Sequence, residues 1–333
     1  MSNALTVAFV MDPVEHLHID EDTTFVLMLE AQRRGHRVLY VDPAGLSIGP
    51  RGAVARAVPV ELRRRRGDHV RFGEVRRVVL DDEVDLAFQR VDPPVDAAYI
   101  TATQILGTCR RTLVLNRPAA ILAHNEKLFA LHFPDLMPET IVSAEQAELL
   151  AFLDEMGGEM VVKPLDGRGG EGVFLARRGD PNLASILEQS TRFGARRAIA
   201  QRYLPAVREG DKRILLLEGA PLGALNRVPA QGELRANLHV GGEAARGVLD
   251  DADARIVDRL RPQLEREGLF LVGIDVIGGF LTEINVTSPT CIQEIDRIDG
   301  VALEQRVIER AEQRVAERAE ALGAPVRARN SVA

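Results

Sequence analysis

The sequence predicts a protein of the mixed α/β (α+β) class, and three observations support this prediction. Residues 5–42 contain an apolar strand, a segment with apolar residues at helical spacing and a second apolar strand, an order that indicates a parallel sheet. Short apolar runs that end at proline, within 85–94 and 112–118, extend that sheet. Beyond residue 118, pairs of apolar runs flank glycine-rich loops, which indicates a further region of hairpins.

The individual elements follow from these patterns in chain order. The strands at 5–12 and 37–42 enclose a helix at 22–35, whose apolar repeat stops at Gly35. The basic run 61–72 is expected to be a solvated loop or hairpin rather than a polyanion-binding patch. The other expected elements are a short helix at 125–133, a strand and a helix within 137–158, two strands within 160–177, strands at 198–205, 212–219 and 221–228, two strands within 271–290, and a packing helix at 303–322.

Length and composition exclude several classes of function. The 333 residues are enough for two or three domains, and 46 % apolar with 27 % charged residues is typical of a soluble globular protein. A net charge of -7 and a pI near 5.6 argue against nucleic acid as the main partner. Apolar stretches fall short of the roughly 20 residues that span a bilayer, and the amino terminus lacks secretion signals, so we expect a cytoplasmic protein with no membrane partner.

Neither cysteine nor histidine indicates a metal centre. Cys109 and Cys291 lie far apart, so a disulfide is not expected in a reducing compartment, and the seven histidines lack zinc-binding spacings.

The three lysines of this chain are unusual because the other 39 of its 42 basic residues are arginine. They are Lys127, Lys163 and Lys212. A lysine is a compact point charge that an arginine fork does not replace against a single phosphate oxygen, so each lysine marks a candidate phosphate contact. The alternative is that three lysines persist by chance.

Lys163 precedes a glycine loop, residues 167–172, that contains Gly167, Gly169, Gly170 and Gly172. No lysine follows its last glycine, which excludes a P-loop, and no helix opens directly behind it, which disfavours a dinucleotide fingerprint. A hairpin loop whose N–H groups close over phosphates remains, with Lys163 supplying charge. Glycine-rich hairpins without a ligand are the alternative.

A second candidate lies in an acidic hairpin, residues 271–290, in which two apolar strands flank Gly278 and Gly279. Its polar residues are Asp275, Glu283 and Asn285. Glu283 and Asn285 share one face, whereas Asp275 joins them only if the turn has three residues, 278–280, rather than two. Such oxygen donors suit Mg²⁺ shared with phosphate. The alternative is that the carboxylates form ordinary salt bridges with the abundant arginines.

Two further regions have sequence patterns typical of functional sites. Asp12, Arg90 and Asp92 lie at the carboxyl ends of predicted strands, where ligands of parallel sheets collect. Residues 231–247 are polar, rich in glycine and too long for a turn, which is typical of a functional lid or a disordered segment.

Taken together, these motifs resemble the ATP-grasp ligases, and among them the prokaryotic glutathione synthetases. The matching segments appear in the family's order from residue 7 to about 295: MDP (11–13), LEAQRRG (29–35), DPP (92–94), NEKLF (125–129), KPLDG.GG (163–170), YLP (203–205), GDKR (210–213) and LTEINVTSPTCI (281–292). The last of these is highly specific. The resemblance implies an ATP-grasp fold with an N-terminal parallel α/β substrate-binding domain (1–122), a small lid subdomain (123–203) and a C-terminal mixed-sheet catalytic domain (204–333).

The resemblance also implies a role for each candidate residue. ATP would be bound by Lys127, Lys163, Gly167, Gly169, Gly170, Gln201, Tyr203, Leu204, Asp211 and Asn285. Magnesium, or alternatively manganese, would be held by Asp275, Glu283 and Asn285. Catalysis would involve Arg213, Arg227 and Arg235. Substrates would contact Asp12, Arg90, Asp92, Ser288, Pro289 and Thr290. Residues 229–245 resemble the mobile loop that covers the site.

The implied reaction joins γ-glutamylcysteine and glycine at the expense of ATP, through an acyl phosphate, in a homo-oligomer (a dimer or tetramer) with which the apolar stripe of the 303–322 helix is compatible. Three positions depart from the family pattern near the peptide substrate: Val91, Gln231 and Leu234. Two other hypotheses therefore stay open, an ATP-grasp ligase for a different carboxylate and amine, and a nucleotide-binding protein without catalysis. The intact set of metal-binding residues disfavours the last.

Overall fold

The computed structural model describes residues 4–233, 235–238 and 241–323. Leu234 lies outside the described residues. The N-terminal part forms a seven-stranded sheet with helices packed against it. Its strands are β1 (Thr6–Met11), β2 (Arg37–Gly49), β3 (Gly52–Leu62), β4 (Val70–Phe72), β5 (Arg76–Val79), β6 (Leu86–Arg90) and β7 (Leu113–Leu115), and its helices are α1 (Thr23–Arg33), α2 (Leu80–Glu83), α3 (Ala97–Leu106) and α4 (Pro118–Ala123).

The centre of this sheet has the predicted parallel arrangement. β1 pairs in parallel with both β2 and β6, and β6 pairs in parallel with β7. Alternate residues of β1 enter two different apolar clusters, Phe9 on one face and Val10 on the other, as expected for a strand that is buried on both faces. The sheet becomes mixed at its edge, because β2 and β3 are joined by two residues and such a short connection allows only antiparallel pairing. The basic run 61–72 forms the expected hairpin, between β3 and β4.

A four-stranded sheet follows, with the strand order β10-β9-β11-β8. Its elements are β8 (Thr140–Ser143), α5 (Gln146–Glu155), β9 (Glu159–Pro164), β10 (Phe174–Arg177), α6 (Leu183–Thr191) and β11 (Ala198–Arg202). β9 and β10 are antiparallel and enclose the glycine loop, which confirms the predicted hairpin.

The prediction of a short α-helix at 125–133 is wrong. This stretch contains only a 3-10 turn at Phe129–His132, followed by another at Pro134–Leu136. The backbone carbonyl of Glu126 accepts a hydrogen bond from the amide of Ile284 at 3.0 Å, so it bonds to a strand of another region rather than within a helix.

The C-terminal region is a five-stranded sheet with the order β14-β13-β12-β15-β16. Its elements are β12 (Asp211–Leu217), β13 (Ala220–Val228), β14 (Glu243–Arg246), α7 (Asp251–Glu267), β15 (Leu271–Ile277), β16 (Phe280–Asn285), α8 (Ile292–Asp299) and α9 (Leu303–Ala321). All its described pairings are antiparallel, which differs from the mixed sheet expected there.

The apolar stripe of α9 is covered within the chain itself. Leu303, Val307 and Ile308 belong to the same buried cluster as Phe25 and Met28 of α1. The stripe therefore serves internal packing and provides no argument for an oligomer. In the part of the chain that the structure describes, we find no helix with the length and apolar character needed to cross a membrane.

Candidate active site

The three sheets surround one cleft of about 780 Å³, a volume within the usual range for ligand sites. Most of the residues predicted to bind nucleotide, metal or substrate lie on its wall. They are Asp12, Asp92, Lys127, Lys163, Gly167, Gly169, Gly170, Gln201, Tyr203, Leu204, Asp211, Arg213, Arg227, Arg235, Asp275, Glu283, Asn285, Ser288 and Thr290. Residues more than 270 positions apart in the sequence thus meet in one place.

Two predicted substrate residues, Arg90 and Pro289, lie behind this wall. The guanidinium of Arg90 donates to the Pro289 carbonyl at 2.8 Å and to Thr24 Oγ1 at 3.1 Å. Burial lowers the pKa of Arg90, although nearby carboxylates oppose this effect. The structure therefore places Arg90 where it fixes the backbone beside Ser288, and a direct substrate contact of Arg90 or Pro289 stays a prediction.

The carboxyl ends of β1 and β6 bring Asp12 and Asp92 together, as the parallel order requires. The Asp92 backbone N–H donates to Asp12 Oδ2 at 2.9 Å. Both side chains are exposed to the cleft, on the wall formed by the N-terminal sheet.

The two predicted phosphate lysines project into the cleft from different elements. Lys163, in β9, donates to Gln201 Oε1 at 2.8 Å, and burial lowers its pKa. Lys127 donates to the Gly167 carbonyl at 2.7 Å and to Glu283 Oε1 at 3.1 Å. Burial opposes the charge of Lys127, but the Glu283 carboxylate outweighs it and raises the pKa of Lys127. Both ammonium groups thus lie beside the glycine loop or its strand, as a phosphate site requires.

The glycine loop is a tight turn that lies close to Arg235 and Asn237 of the lid segment, residues 229–245. The Glu171 amide donates to the Arg168 carbonyl at 2.9 Å, and Gly169 and Gly170 between them have φ values of 57° and 87°, which side chains rarely adopt. A Cβ at Gly170 would lie 2.7 Å from Asn237 Oδ1. The bare backbone therefore serves both the turn and a close approach to the lid segment.

The acidic hairpin reaches the predicted pairing by a different route from the one expected. Its turn has two residues, Gly278 and Gly279, both with positive φ, and not the three residues 278–280. A β-bulge at Thr282 adds one residue to β16, and this bulge restores the pairing of Asp275 with Glu283. The turn is the two-residue alternative, and the expectation that such a turn would separate Asp275 from Glu283 is wrong, because the bulge keeps the cluster on one face.

Asp275 is held by two arginines, so this carboxylate forms the salt bridges that were the alternative to a metal site. Arg213 Nε lies 2.5 Å from Asp275 Oδ1, and Arg227 Nη2 lies 3.0 Å from the same oxygen. Burial alone would raise the pKa of Asp275, but the two guanidinium groups outweigh it and hold the pKa well below its usual range. Arg227 also donates to Asp211 Oδ2 at 2.7 Å. The four side chains form a buried and nearly neutral network.

The side chains on this hairpin fit a divalent cation only in part. Asn285 Nδ2 lies 3.4 Å from Asp275 Oδ2, so amide and carboxylate are adjacent, and Glu283 faces the same cleft. Hard oxygen donors of this kind suit Mg²⁺ or Mn²⁺. Among the described residues, however, no three His, Cys, Asp or Glu side chains form a metal-binding group. A cation here would need further oxygens from a bound ligand, as expected for one shared with phosphate.

Glu126 is a functional candidate that the sequence analysis missed. Its Oε1 accepts hydrogen bonds from the Val286 amide at 2.9 Å, the Thr287 amide at 3.0 Å and Thr287 Oγ1 at 2.8 Å. Burial, reinforced by the charge of Glu283, raises the pKa of Glu126. This carboxylate fixes the backbone that carries Ser288. The only signal for it was its place beside Lys127 in the NEKLF motif.

Replacing Asp275 with asparagine should destabilise the ligand-free protein by roughly 3 to 5 kcal/mol, because two buried guanidinium groups would lose their shared anion. Urea unfolding at neutral pH measures this change. Asp258→Asn is the matched control, because Asp258 pairs with Arg261 at 3.1 Å on the exposed face of α7 and should contribute under about 1 kcal/mol. Equal small effects of the two substitutions would contradict the buried network.

Comparison with known proteins agrees with this geometry. Residues 5–121 match the prokaryotic glutathione synthetase N-terminal domain, and residues 126–300 match the prokaryotic glutathione synthetase ATP-grasp domain. The glutathione synthetase of Gloeobacter violaceus is 45 % identical over 312 residues, which cover 92 % of this chain and 96 % of that protein. The glutathione synthetase of Brucella melitensis is 47 % identical over 299 residues, or 89 % of this chain and 95 % of that protein.

Solved structures resemble this one at the level of the fold. The D-cycloserine synthetase DcsG has a TM-score of 0.65 at 15 % identity and aligns over 93 % of this chain and 99 % of its own. A RimK domain ATP-grasp protein from Sphaerobacter thermophilus has a TM-score of 0.60 at 18 % identity, over 91 % and 98 %. The predicted ATP-grasp fold is thereby confirmed. With both domain matches together spanning most of its length, the chain belongs to the prokaryotic glutathione synthetase family.

Proposed function

We propose that this protein ligates γ-glutamylcysteine and glycine with ATP, releasing glutathione, ADP and phosphate. The observation that carries this proposal is the meeting of Lys127, Lys163 and the glycine loop with Glu283 of the acidic hairpin in a single cleft. The proposal also rests on the close similarity to glutathione synthetases along nearly the whole chain. Such chemistry needs positioning and fixed charges and requires no protein nucleophile.

In this proposal ATP lies between the four-stranded and five-stranded sheets. Lys127, Lys163 and the amides of the glycine loop bind its phosphates, and the segment from Gln201 to Leu204 reads the adenine. Asp211 binds the ribose. Its Oδ1 is buried without a hydrogen-bond partner among the described residues, which suits an acceptor for a ribose hydroxyl. Burial raises the pKa of Asp211, and Arg227 only partly offsets this.

Asp275, Glu283 and Asn285 would hold the divalent cation, for which we propose Mg²⁺ rather than Mn²⁺. When bound, such a cation neutralises charge on phosphate oxygens. Side chains of the protein supply the remaining positive charge. Lys127 exchanges its partner Glu283 for phosphate, and the guanidinium groups of Arg213 and Arg227 present fixed positive charge to the transferred phosphoryl group.

The reaction then proceeds in two displacements. A carboxylate oxygen of γ-glutamylcysteine attacks the γ-phosphorus of ATP, and ADP leaves with the electron pair of the broken bond. The amine of glycine attacks the carbonyl carbon of the acyl phosphate, phosphate leaves, and the amine gives up a proton as the amide forms. Arg235 and the lid segment, which already contacts the glycine loop, exclude water that would hydrolyse the acyl phosphate.

Two of the three departures from the family pattern, Val91 and Gln231, leave this cleft largely unaffected. The Val91 side chain packs against the apolar cluster of the N-terminal sheet, and Gln231 is exposed in the lid segment. This placement argues against a change of the carboxylate substrate caused by Val91. Asp12, Asp92, Ser288 and Thr290 remain the proposed substrate contacts, with Arg90 and Pro289 supporting them.

We further propose the domain limits 1–122, 123–203 and 204–333, a cytoplasmic location and a homo-oligomeric state. Each of the three sheets lies inside one of these segments. Size-exclusion chromatography with light scattering would determine the oligomeric state.

The deciding experiment incubates the purified protein with ATP, Mg²⁺ and γ-glutamylcysteine, with and without glycine, and follows ADP and product mass. Release of ADP that depends on glycine, with a product of the mass of glutathione, is the expected result. Turnover only with other carboxylates or amines would replace this substrate assignment, and binding of ATP without turnover for any pair would contradict catalysis altogether.

A further inference from the structure

The glycine loop carries a side chain that reaches across the cleft. Arg168 stands at the first position of its turn, and Arg168 Nη1 lies 3.2 Å from Asp92 Oδ2 at the end of the N-terminal sheet. Both residues line the cleft. The pair therefore joins the proposed nucleotide loop directly to the proposed substrate wall.

The backbone that carries Arg168 is held on both sides. Asp166 pairs with Arg196, and Gly167 accepts a hydrogen bond from Lys127. On the other side Gly170 is in close contact with Asn237 of the lid segment. Arg168 therefore extends from a defined position, and its placement opposite Asp92 is a property of the folded loop.

The wall that Arg168 faces is acidic. Asp12, Glu21, Asp22 and Asp92 all line this side of the cleft. A wall of this kind attracts an ammonium group, while Arg168 opposite it attracts a carboxylate. The two sides together provide complementary charges for a ligand that carries both.

The pair between Arg168 and Asp92 is weak enough to be exchanged for a ligand. The two side chains are 51 % and 49 % exposed, and ion pairs at such exposure contribute little because solvent screens them. Only one guanidinium nitrogen contacts Asp92, and among the described residues that guanidinium has no further partner. Donors remain for a bidentate contact with a carboxylate.

We propose that Asp92 and Arg168 form the receptor for the zwitterionic α-amino acid end of the γ-glutamyl donor, with Asp92 binding its ammonium and Arg168 its α-carboxylate. The inference rests on the proposed function. In a γ-linked donor both of these groups are free, whereas the carboxylate that reacts lies at the far end of the molecule. The bound donor thus replaces one weak ion pair with two ion pairs that it shields from solvent. Because Arg168 belongs to the glycine loop, the donor also draws that loop onto the N-terminal wall.

The test compares three donors that differ by one charged group at a time. These are γ-glutamylcysteine, 4-aminobutyrylcysteine, which lacks the α-carboxylate, and glutarylcysteine, which lacks the ammonium. The wild-type protein should prefer γ-glutamylcysteine by at least about tenfold in kcat/KM over each analogue, as expected for a lost charged contact. Arg168→Gln should abolish the preference over 4-aminobutyrylcysteine and retain the preference over glutarylcysteine.

Asp92→Asn should show the converse pattern, and neither substitution should change the KM for ATP by more than about threefold. Arg177→Gln is the matched control, because Arg177 pairs with Glu159 at 2.7 Å with similar exposures, 50 % and 44 %, outside the cleft. Arg177→Gln should retain the preference for γ-glutamylcysteine over both analogues.

The outcomes separate this inference from the proposed function. If the wild type forms glutathione but Arg168→Gln slows all three donors equally, the ion pair is only a surface contact and the inference is wrong. If the wild type does not turn over γ-glutamylcysteine and glycine, the proposed function fails and the inference fails with it.

Discussion

Replacing Glu283 with glutamine should lower the rate of ATP-dependent ligation by at least about 100-fold while the protein remains folded. The expected loss is that of a group which stabilises developing charge in a closed site. Glu283 is the carboxylate of the acidic hairpin that faces the cleft without an arginine partner among the described residues, and its partner there is the Lys127 ammonium. The substitution removes an oxygen donor for the cation and keeps the shape of the side chain.

The fold should tolerate this change. Lys127 keeps its hydrogen bond to the Gly167 carbonyl, and the glutamine Oε1 can still accept from its ammonium group. Because the side chains of Lys127 and Glu283 are only 9 % and 22 % exposed, loss of the negative charge should lower the free energy of unfolding by up to roughly 3 kcal/mol, which leaves the protein folded. A second measurement is independent of turnover: the Mg²⁺ dependence of the thermal stabilisation by ATP should weaken in Glu283→Gln. Glu317→Gln, an exposed carboxylate of α9 that pairs with Arg310, should match the parent protein in both assays. Near-normal turnover of Glu283→Gln would remove the metal assignment.

The sequence was a good guide wherever a single local pattern decided the structure. The βαβ opening predicted the parallel centre of the first sheet, and the run from Lys163 to Gly172 predicted a hairpin with a bare backbone loop. The pairing of Asp275 with Glu283 is one of the two registers that the sequence allowed for this hairpin. These features depend on residues close together in the chain.

The features that the sequence did not predict depend on distant partners. The bulge at Thr282 has no local signal, because any residue can be the extra one in a ladder. Residues 125–133 contain good helix formers, yet the Glu126 carbonyl bonds to Ile284, and this contact overrides local preference. To predict the pairing of Asp275 with Arg213 and Arg227, the register of three strands must be known. To predict the contact of Arg168 with Asp92, the relative position of two domains must be known.

Replacing Lys163 with methionine should abolish stabilisation by ATP and leave the ligand-free protein as stable as the parent or more stable. The Lys163 ammonium lies in the cleft wall with the neutral Gln201 amide as its hydrogen-bond partner, and burial lowers its pKa. A charge held in that way favours ligand binding at the expense of the fold, and its apolar replacement should add up to about 1 kcal/mol to the free energy of unfolding. At an ATP concentration of a hundred times Kd, the parent gains about 2.7 kcal/mol, and the variant should gain almost none.

The pH dependence of stability should change in the same variant. Because the pKa of Lys163 is lowered on folding, the unfolded chain binds more protons between the folded pKa and the ordinary lysine value of 10.5. The free energy of unfolding of the parent therefore includes a contribution that rises with pH across that window. Lys163→Met should lack this contribution, which urea unfolding at a series of pH values would reveal.

Lys212 provides the matched control, because the same substitution there should have the opposite effect on stability. Lys212 pairs with Asp250 at 3.2 Å and also with Asp253, whose side chain is only 1 % exposed. Lys212→Met would leave that buried carboxylate without its cation and should destabilise the protein by roughly 3 kcal/mol, while stabilisation by ATP persists. If both variants lose stability and both respond to ATP, Lys163 is a structural lysine and the phosphate site must lie elsewhere in the cleft.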